Sequence, residues 1–145
     1  MHRILGTAMI ILALVLAIAP VFSDCESGGK MLTTADGRSV SMKCHWTGIA
    51  EIAAAVPLGI AGIYATRARR KETTRFAAIV GAGSAVIALL LPTVLIGTCM
   101  SPTMLCNLLM RPILLAAGIL AVVVSIALFF VAREPELPVA PAAAA

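Results

Sequence analysis

FAAIVGAGSAVIALLLPTVLI, residues 76–96, runs for 21 positions without a charged side chain. Crossing the hydrocarbon core of a bilayer takes roughly 20 apolar residues in helical form, so this stretch is long enough to span. Three others match it: Ile4 to Phe22, Gly48 to Thr66 and Leu108 to Ala132. Each has few charges, Glu51 in the second and Arg111 near the start of the fourth. Open strands in lipid would leave backbone N–H and C=O groups unpaired, so all four read as helices. The expected fold is therefore all-α: an integral membrane protein with four transmembrane helices in an antiparallel up-down bundle.

Composition agrees. The chain of 145 residues is 61% hydrophobic and 12% charged, with mean hydropathy +1.04. Soluble domains carry roughly twice that charged share. The net charge of +4 comes with few aromatics and with bases confined to short connectors, which argues against a nucleic-acid surface. Residues 1–132 form one membrane domain, with helices at about 4–22, 48–66, 76–96 and 108–132 and connecting loops at 23–47 and 97–107. Residues 133–145, a Pro/Ala-rich tail, show no buried-face pattern.

Basic residues give an orientation. Arg3, Arg67, Arg69, Arg70, Lys71, Arg75 and Arg133 lie on one side of four alternating helices, with Glu72 the one acid in the 66–75 connector. Lys30, Arg38 and Lys43 on the other side are offset by Asp24, Glu26 and Asp36. The bias toward cytoplasmic Lys and Arg places both termini in the cytoplasm and the 23–47 and 97–107 loops outside. In a bacterium this is a multi-pass plasma-membrane protein. The first 25 residues also have the layout of a secretory signal, with a cut after Ser23. The long apolar run and Pro20 directly after Ala19 favour an uncleaved helix.

The outer loops collect the reactive side chains. Cys25, Cys44, Cys99 and Cys106 all fall in or beside them, with five of the seven methionines, His45 and the single tryptophan, Trp46. Four cysteines in an oxidising compartment make disulfide candidates. Three pairings are open, among them Cys25–Cys44 with Cys99–Cys106. Asp36-Gly37 suggests a two-residue hairpin turn, setting Thr34 opposite Ser39 and Met31 opposite Met42, with the hairpin resting on the second loop or the helix ends. Thr47 or Gly48 is the expected cap of the second helix. Glu51 and Arg111 share a similar depth and make a candidate intramembrane ion pair. Pro57 and Pro92 should bend their helices, and Pro112 suits the first turn of the fourth. Ala55 with Gly59 and Gly81 with Ala85 are small pairs at helix-contact spacing.

The segments MKCHWT and GTCMSPTMLCN, each before an apolar helix, resemble a bacterial family of small four-helix integral membrane proteins known as a domain of unknown function. The likeness rests on Cys44, His45, Trp46, Thr47, Cys99, Met100, Cys106 and Asn107. It implies the four-helix fold and no mechanism.

Three functions follow. The first is a non-enzymatic component, the small partner of another membrane protein such as a transporter, or a homo-oligomer, with a disulfide-braced outer cap. No nucleotide loop or nucleophile–base set competes with it, and no cofactor is then required. The second is soft-metal handling, copper foremost, by Cys44, His45, Met100, Met104 and Cys106, since thiolate and thioether suit Cu(I). The third is thiol–disulfide exchange linked to a membrane quinone. Its architecture is similar to the disulfide-forming membrane oxidoreductases, but their Cys-x-x-Cys pair is missing here.

Overall fold

The computed structural model describes residues 2–26, 29, 31–99, 101 and 103–132. Lys30, Met100, Arg133 and the tail therefore lie outside the described residues. Four long helices make up the fold: α1 (His2–Ser23), α2 (Lys43–Arg67), α3 (Lys71–Leu90) and α4 (Arg111–Val131). A π-helical turn, Leu91–Leu95, extends α3, and another, Cys106–Met110, leads into α4. With these turns all four helices are long and apolar enough to cross a membrane.

The helices alternate in direction and pack as a ring. α1 lies against α2 and α4, α3 against α2 and α4, and the diagonal α1–α3 pair barely touches. The termini of α1 and α4 and the short α2–α3 connector thus share one end. The long α1–α2 segment and the α3–α4 loop share the other.

Side-chain size sorts inside from outside. The inner faces carry small residues such as Ala13, Ala54, Ala61, Ala78, Ala85, Ala117 and Ala121, with Met9, Leu16, Leu58 and Leu114 filling the gaps. Ile, Leu, Val and Phe side chains such as Ile11, Ile60, Ile79, Leu120 and Phe130 point outward. This inverts a soluble bundle, because lipid rewards close van der Waals approach between helices rather than burial of large apolar groups. The closest approach is between α1 and α2, where a Cβ added to Gly62 would lie 2.9 Å from the carbonyl oxygen of Gly6. Of the small pairs expected to form contacts, Ala55 and Ala85 are buried, and Gly81 sits under the Met9 methyl and beside Ser125. The Gly6–Gly62 contact, between helices far apart in sequence, has no signature within either segment.

Three boundaries differ from the sequence expectation, among them the start of α3, which lies at Lys71 rather than residue 76. α2 starts at Lys43, about a turn early, with Met42 rather than Thr47 or Gly48 as its N-cap. The helix begins there because Cys44, Thr47 and Glu51 fall at i, i+3 and i+7 and all point inward, each with 0% exposure. Trp46 remains exposed at the head of α2, as suits an interfacial aromatic residue. The fourth span starts at Cys106, because the π turn carries the helical path back through residues 106–110.

Pro57 lies inside α2 and Pro20 inside α1, while Pro92 enters the π turn and Pro112 sits at the start of α4. The wide turn at Leu91–Leu95 closes with Ile96 and Gly97 N–H groups donating to the Leu91 carbonyl. Gly97, at φ +80°, then turns the chain out of the helix.

The hairpin forms, one register step from expectation. β1 (Leu32–Thr33) pairs with β2 (Ser39–Val40) antiparallel, Leu32 opposite Val40 and Thr33 opposite Ser39. Its loop has three residues, 35–37, closed by the Thr34 N–H donating to the Arg38 carbonyl at 2.9 Å. Gly37 at φ +75° takes the left-handed position such a loop requires. A one-residue shift exchanges the faces of the ribbon, so the proposed Met31–Met42 pairing is lost. All of residues 31–40 are exposed, and the ribbon stands clear of the helix ends rather than resting on them.

Candidate metal centre

All four cysteines converge at the end of the bundle that bears the hairpin. Cys25 follows the last turn of α1, Cys44 lies in the first turn of α2, Cys99 is in the α3–α4 loop, and Cys106 opens the π turn before α4. Each helix end thus brings one thiol. The Sγ–Sγ distances are 3.4 Å for Cys25–Cys106, 3.4 Å for Cys44–Cys99 and 3.6 Å for Cys25–Cys99. All four sulfurs lie within 4.8 Å of one another, and all four are free thiols. Cys25, Cys44 and Cys106 are buried, and Cys99 is partly exposed.

Two polar side chains hold the loop that delivers Cys99. Thr47 donates its hydroxyl to the Gly97 carbonyl at 2.7 Å, tying α2 to the end of α3. Asn107 accepts from Thr98 Oγ1 at 2.7 Å and donates through Nδ2 to the Cys99 carbonyl and, at 2.8 Å, to that of Ser101. Thr47 therefore serves as a tether from α2 to the end of α3, not as a helix cap. Both residues belong to the segments by which the sequence resembles a known family, and the structure supplies a reason for their presence there.

That likeness has a direct counterpart. Residues 4–131 match the family model of a domain of unknown function, DUF4418. The chain belongs to the DUF4418 family. No curated protein and no solved structure matches it. In this member of the family, four membrane-span-like helices bring four cysteines together at one end.

The metal ligands named from sequence are divided by the fold. Cys44 and Cys106 enter the sulfur cluster, joined by Cys25 and Cys99. Met104 Sδ lies 4.0 Å from Cys25 Sγ, and Met42 Sδ lies 3.9 Å from Cys99 Sγ. Met100 lies outside the described residues. His45 instead meets carboxylates: its Nδ1 is 3.2 Å from Asp24 Oδ2, within a hydrogen bond, and 2.9 Å from Glu26 Oε2. Since Asp24 and Glu26 flank Cys25 and His45 follows Cys44, this contact clamps the two cysteine backbones side by side. Neither acid was singled out by spacing, because the partners are separated by the whole hairpin.

Glu51 and Arg111 do not pair. Glu51 is fully buried and neither carboxylate oxygen has a hydrogen-bond partner among the described residues. Arg111 is exposed and lines an outer recess with Thr98, Cys99 and Asn107. The π turn before α4 carries Arg111 outward while α2 turns Glu51 inward. An unsatisfied buried polar group costs ~1–3 kcal/mol, so Glu51→Leu is expected to stabilise the bundle by about that amount. Thermal unfolding in detergent measures it, and a lowered midpoint would show that Glu51 has work to do.

Burial, reinforced by hydrogen bonding among the neighbouring thiols, raises the Cys25 thiol well above its ordinary range and that of Cys99 from 9.0 to about 11. A group that holds its proton more tightly folded than unfolded stabilises the fold below the unfolded value and ceases to do so above the folded one. The metal-free protein should therefore lose stability as pH rises from 9.0 to about 11. Alkylation of reduced Cys99 by iodoacetamide should stay slow at pH 8 and accelerate only toward pH 11, which timed quenching and mass spectrometry will read.

Proposed function

We propose that this protein binds a thiophilic metal ion through Cys25, Cys44, Cys99 and Cys106 and presents it at the non-cytoplasmic surface of the membrane. The convergence of all four sulfurs within 4.8 Å carries the reading. Four thiolates at ~2.3 Å from a tetrahedral ion stand about 3.8 Å apart; three of the sulfur pairs here are at 3.4–3.6 Å and all lie within 4.8 Å. Two independent disulfides require only that each sulfur meet one other, at about 2.05 Å, and impose no convergence of the two pairs. The cluster therefore favours a shared ion over a disulfide-braced cap, although both use the same cysteines.

Four thiolates in a tetrahedron suit zinc(II), whereas copper(I) is ordinarily held by two or three; what tilts the choice toward copper(I) is the softness of the set, with the thioethers of Met42 and Met104 at its edge. Cys99, partly exposed beside the Arg111 recess, is the ligand through which an ion enters or leaves. The charge asymmetry of the connectors supports an orientation with this end outside the cytoplasm. The activity is binding and hand-over rather than catalysis, which suits a partner subunit of a membrane complex. Because binding displaces thiol protons, affinity rises with pH.

The test is elemental analysis of the full-length protein, purified under reductant and loaded separately with copper(I) and zinc(II). One ion per chain is expected, with copper(I) retained against a chelator that strips zinc. Absence of either metal, together with two disulfides on alkylation without reductant, would replace this reading with the braced cap.

A further inference from the structure

The opposite end of the bundle carries a second feature, independent of the sulfur cluster. A cavity of ≈ 950 Å³ opens there, lined among others by His2, Arg3, Arg67, Arg69, Arg70 and Thr74. The bases come from two separate parts of the chain, the start of α1 and the α2–α3 connector, and the end of α4 completes the wall. Among the described residues the lining includes no carboxylate. Among the described residues none of these arginines forms a salt bridge, the two ion pairs present both being on His45.

A topology signal needs bases on a connector and nothing more. It does not require Arg3 to join Arg67, Arg69 and Arg70 around one recess. Nor do all nearby bases do so: Arg75 stacks over the Phe129 ring at 5.3 Å, and Lys71 is outside the lining. Four guanidinium groups around a shared space repel one another unless an anion neutralises them. Their planar, forked donors match the oxygens of a phosphate. The volume falls within that of small-molecule sites and far exceeds a bare phosphate, so the anion carries a substituent.

We propose that this cavity is a binding site for a phosphomonoester, supplied either as the headgroup of an anionic phospholipid or as a small soluble phosphate ester. Arg3, Arg67, Arg69 and Arg70 hold the phosphate oxygens, and the substituent occupies the remaining space beside the end of α4. The bundle would then bind a metal at one end and a phosphorylated ligand at the other.

The experiment uses the full-length protein in phosphatidylcholine nanodiscs. In one arm phosphatidic acid is added and lipid retained on the protein is counted by native mass spectrometry. In the other, glycerol 3-phosphate is added to discs of phosphatidylcholine alone, and phosphorus NMR line broadening is followed. Retention in the first arm alone assigns a lipid, broadening in the second assigns a soluble ester, and both outcomes uphold the site. Arg67→Gln with Arg70→Gln should weaken the responding arm roughly ten-fold, whereas Lys71→Gln, with charge lost outside the lining, should leave it unchanged. Should the double variant fail to fold, Arg3→Gln at the exposed start of α1 gives the same reading. No response in either arm, or an equal loss with Lys71→Gln, would overturn the proposal.

Discussion

Cys44→Ser should abolish stable metal retention and lower the thermal midpoint of the metal-loaded protein to that of the metal-free form. Loss of an outer-shell partner alone costs about 10–100-fold in affinity, and removal of a ligand costs more. An ion present at about 1,000 times its dissociation constant stabilises the folded state by ~4 kcal/mol, roughly 10 °C for a chain of this size. Cys44 is the most informative choice because it is fully buried at the head of α2 and its sulfur is 3.4 Å from that of Cys99. A chelator applied to the native protein should reproduce the shift, and a reductant should not. The reverse pattern, sensitivity to reductant with indifference to chelator, is what two disulfides would give.

Gly62→Leu should unfold or grossly loosen the bundle, at a cost above the ~1–3 kcal/mol of ordinary overpacking. The first atom added would lie 2.9 Å from the Gly6 carbonyl oxygen, 2.9 Å from Ile10 Cγ1 and 3.1 Å from the Ile10 nitrogen. Two of those three are backbone, so no side-chain rotation relieves the clash and α1 must move away from α2. Theirs is the most extensive helix contact in the molecule. Gly59→Ala is the control, since its new Cβ would meet Ala13 Cβ at 3.5 Å, an ordinary contact. Thermal unfolding of both variants in the same detergent gives the comparison. Equal midpoints would mean that the Gly6–Gly62 approach does not hold the helices together.

The hairpin and the head of α2 show where local reading stops. Asp36-Gly37 announced a turn, and a turn is there. Whether its loop has two residues or three depends on which Thr34 bonds close, and the wrong choice exchanged the faces of the ribbon. Thr47 has the chemistry of a helix cap, yet its hydroxyl is directed to Gly97, a partner 50 positions away. Glu51 and Arg111 matched in depth when counted along straight helices. The π turn of residues 106–110 rotates the approach to α4 and separates them.

Unaided, the sequence determined the number of helices, their alternation and the end of the bundle on which each cysteine falls. Those properties depend on run length and on charges in short connectors, which bilayer thickness converts directly into geometry. Only the tertiary structure decided that the four sulfurs lie within 4.8 Å of one another, that His45 belongs to Asp24 and Glu26, and that Arg3 joins the α2–α3 connector around a cavity. Each of these joins residues from different helices. The relative rotation and approach of those helices come from side-chain packing such as that at Gly6 and Gly62, which no periodicity within a single segment encodes.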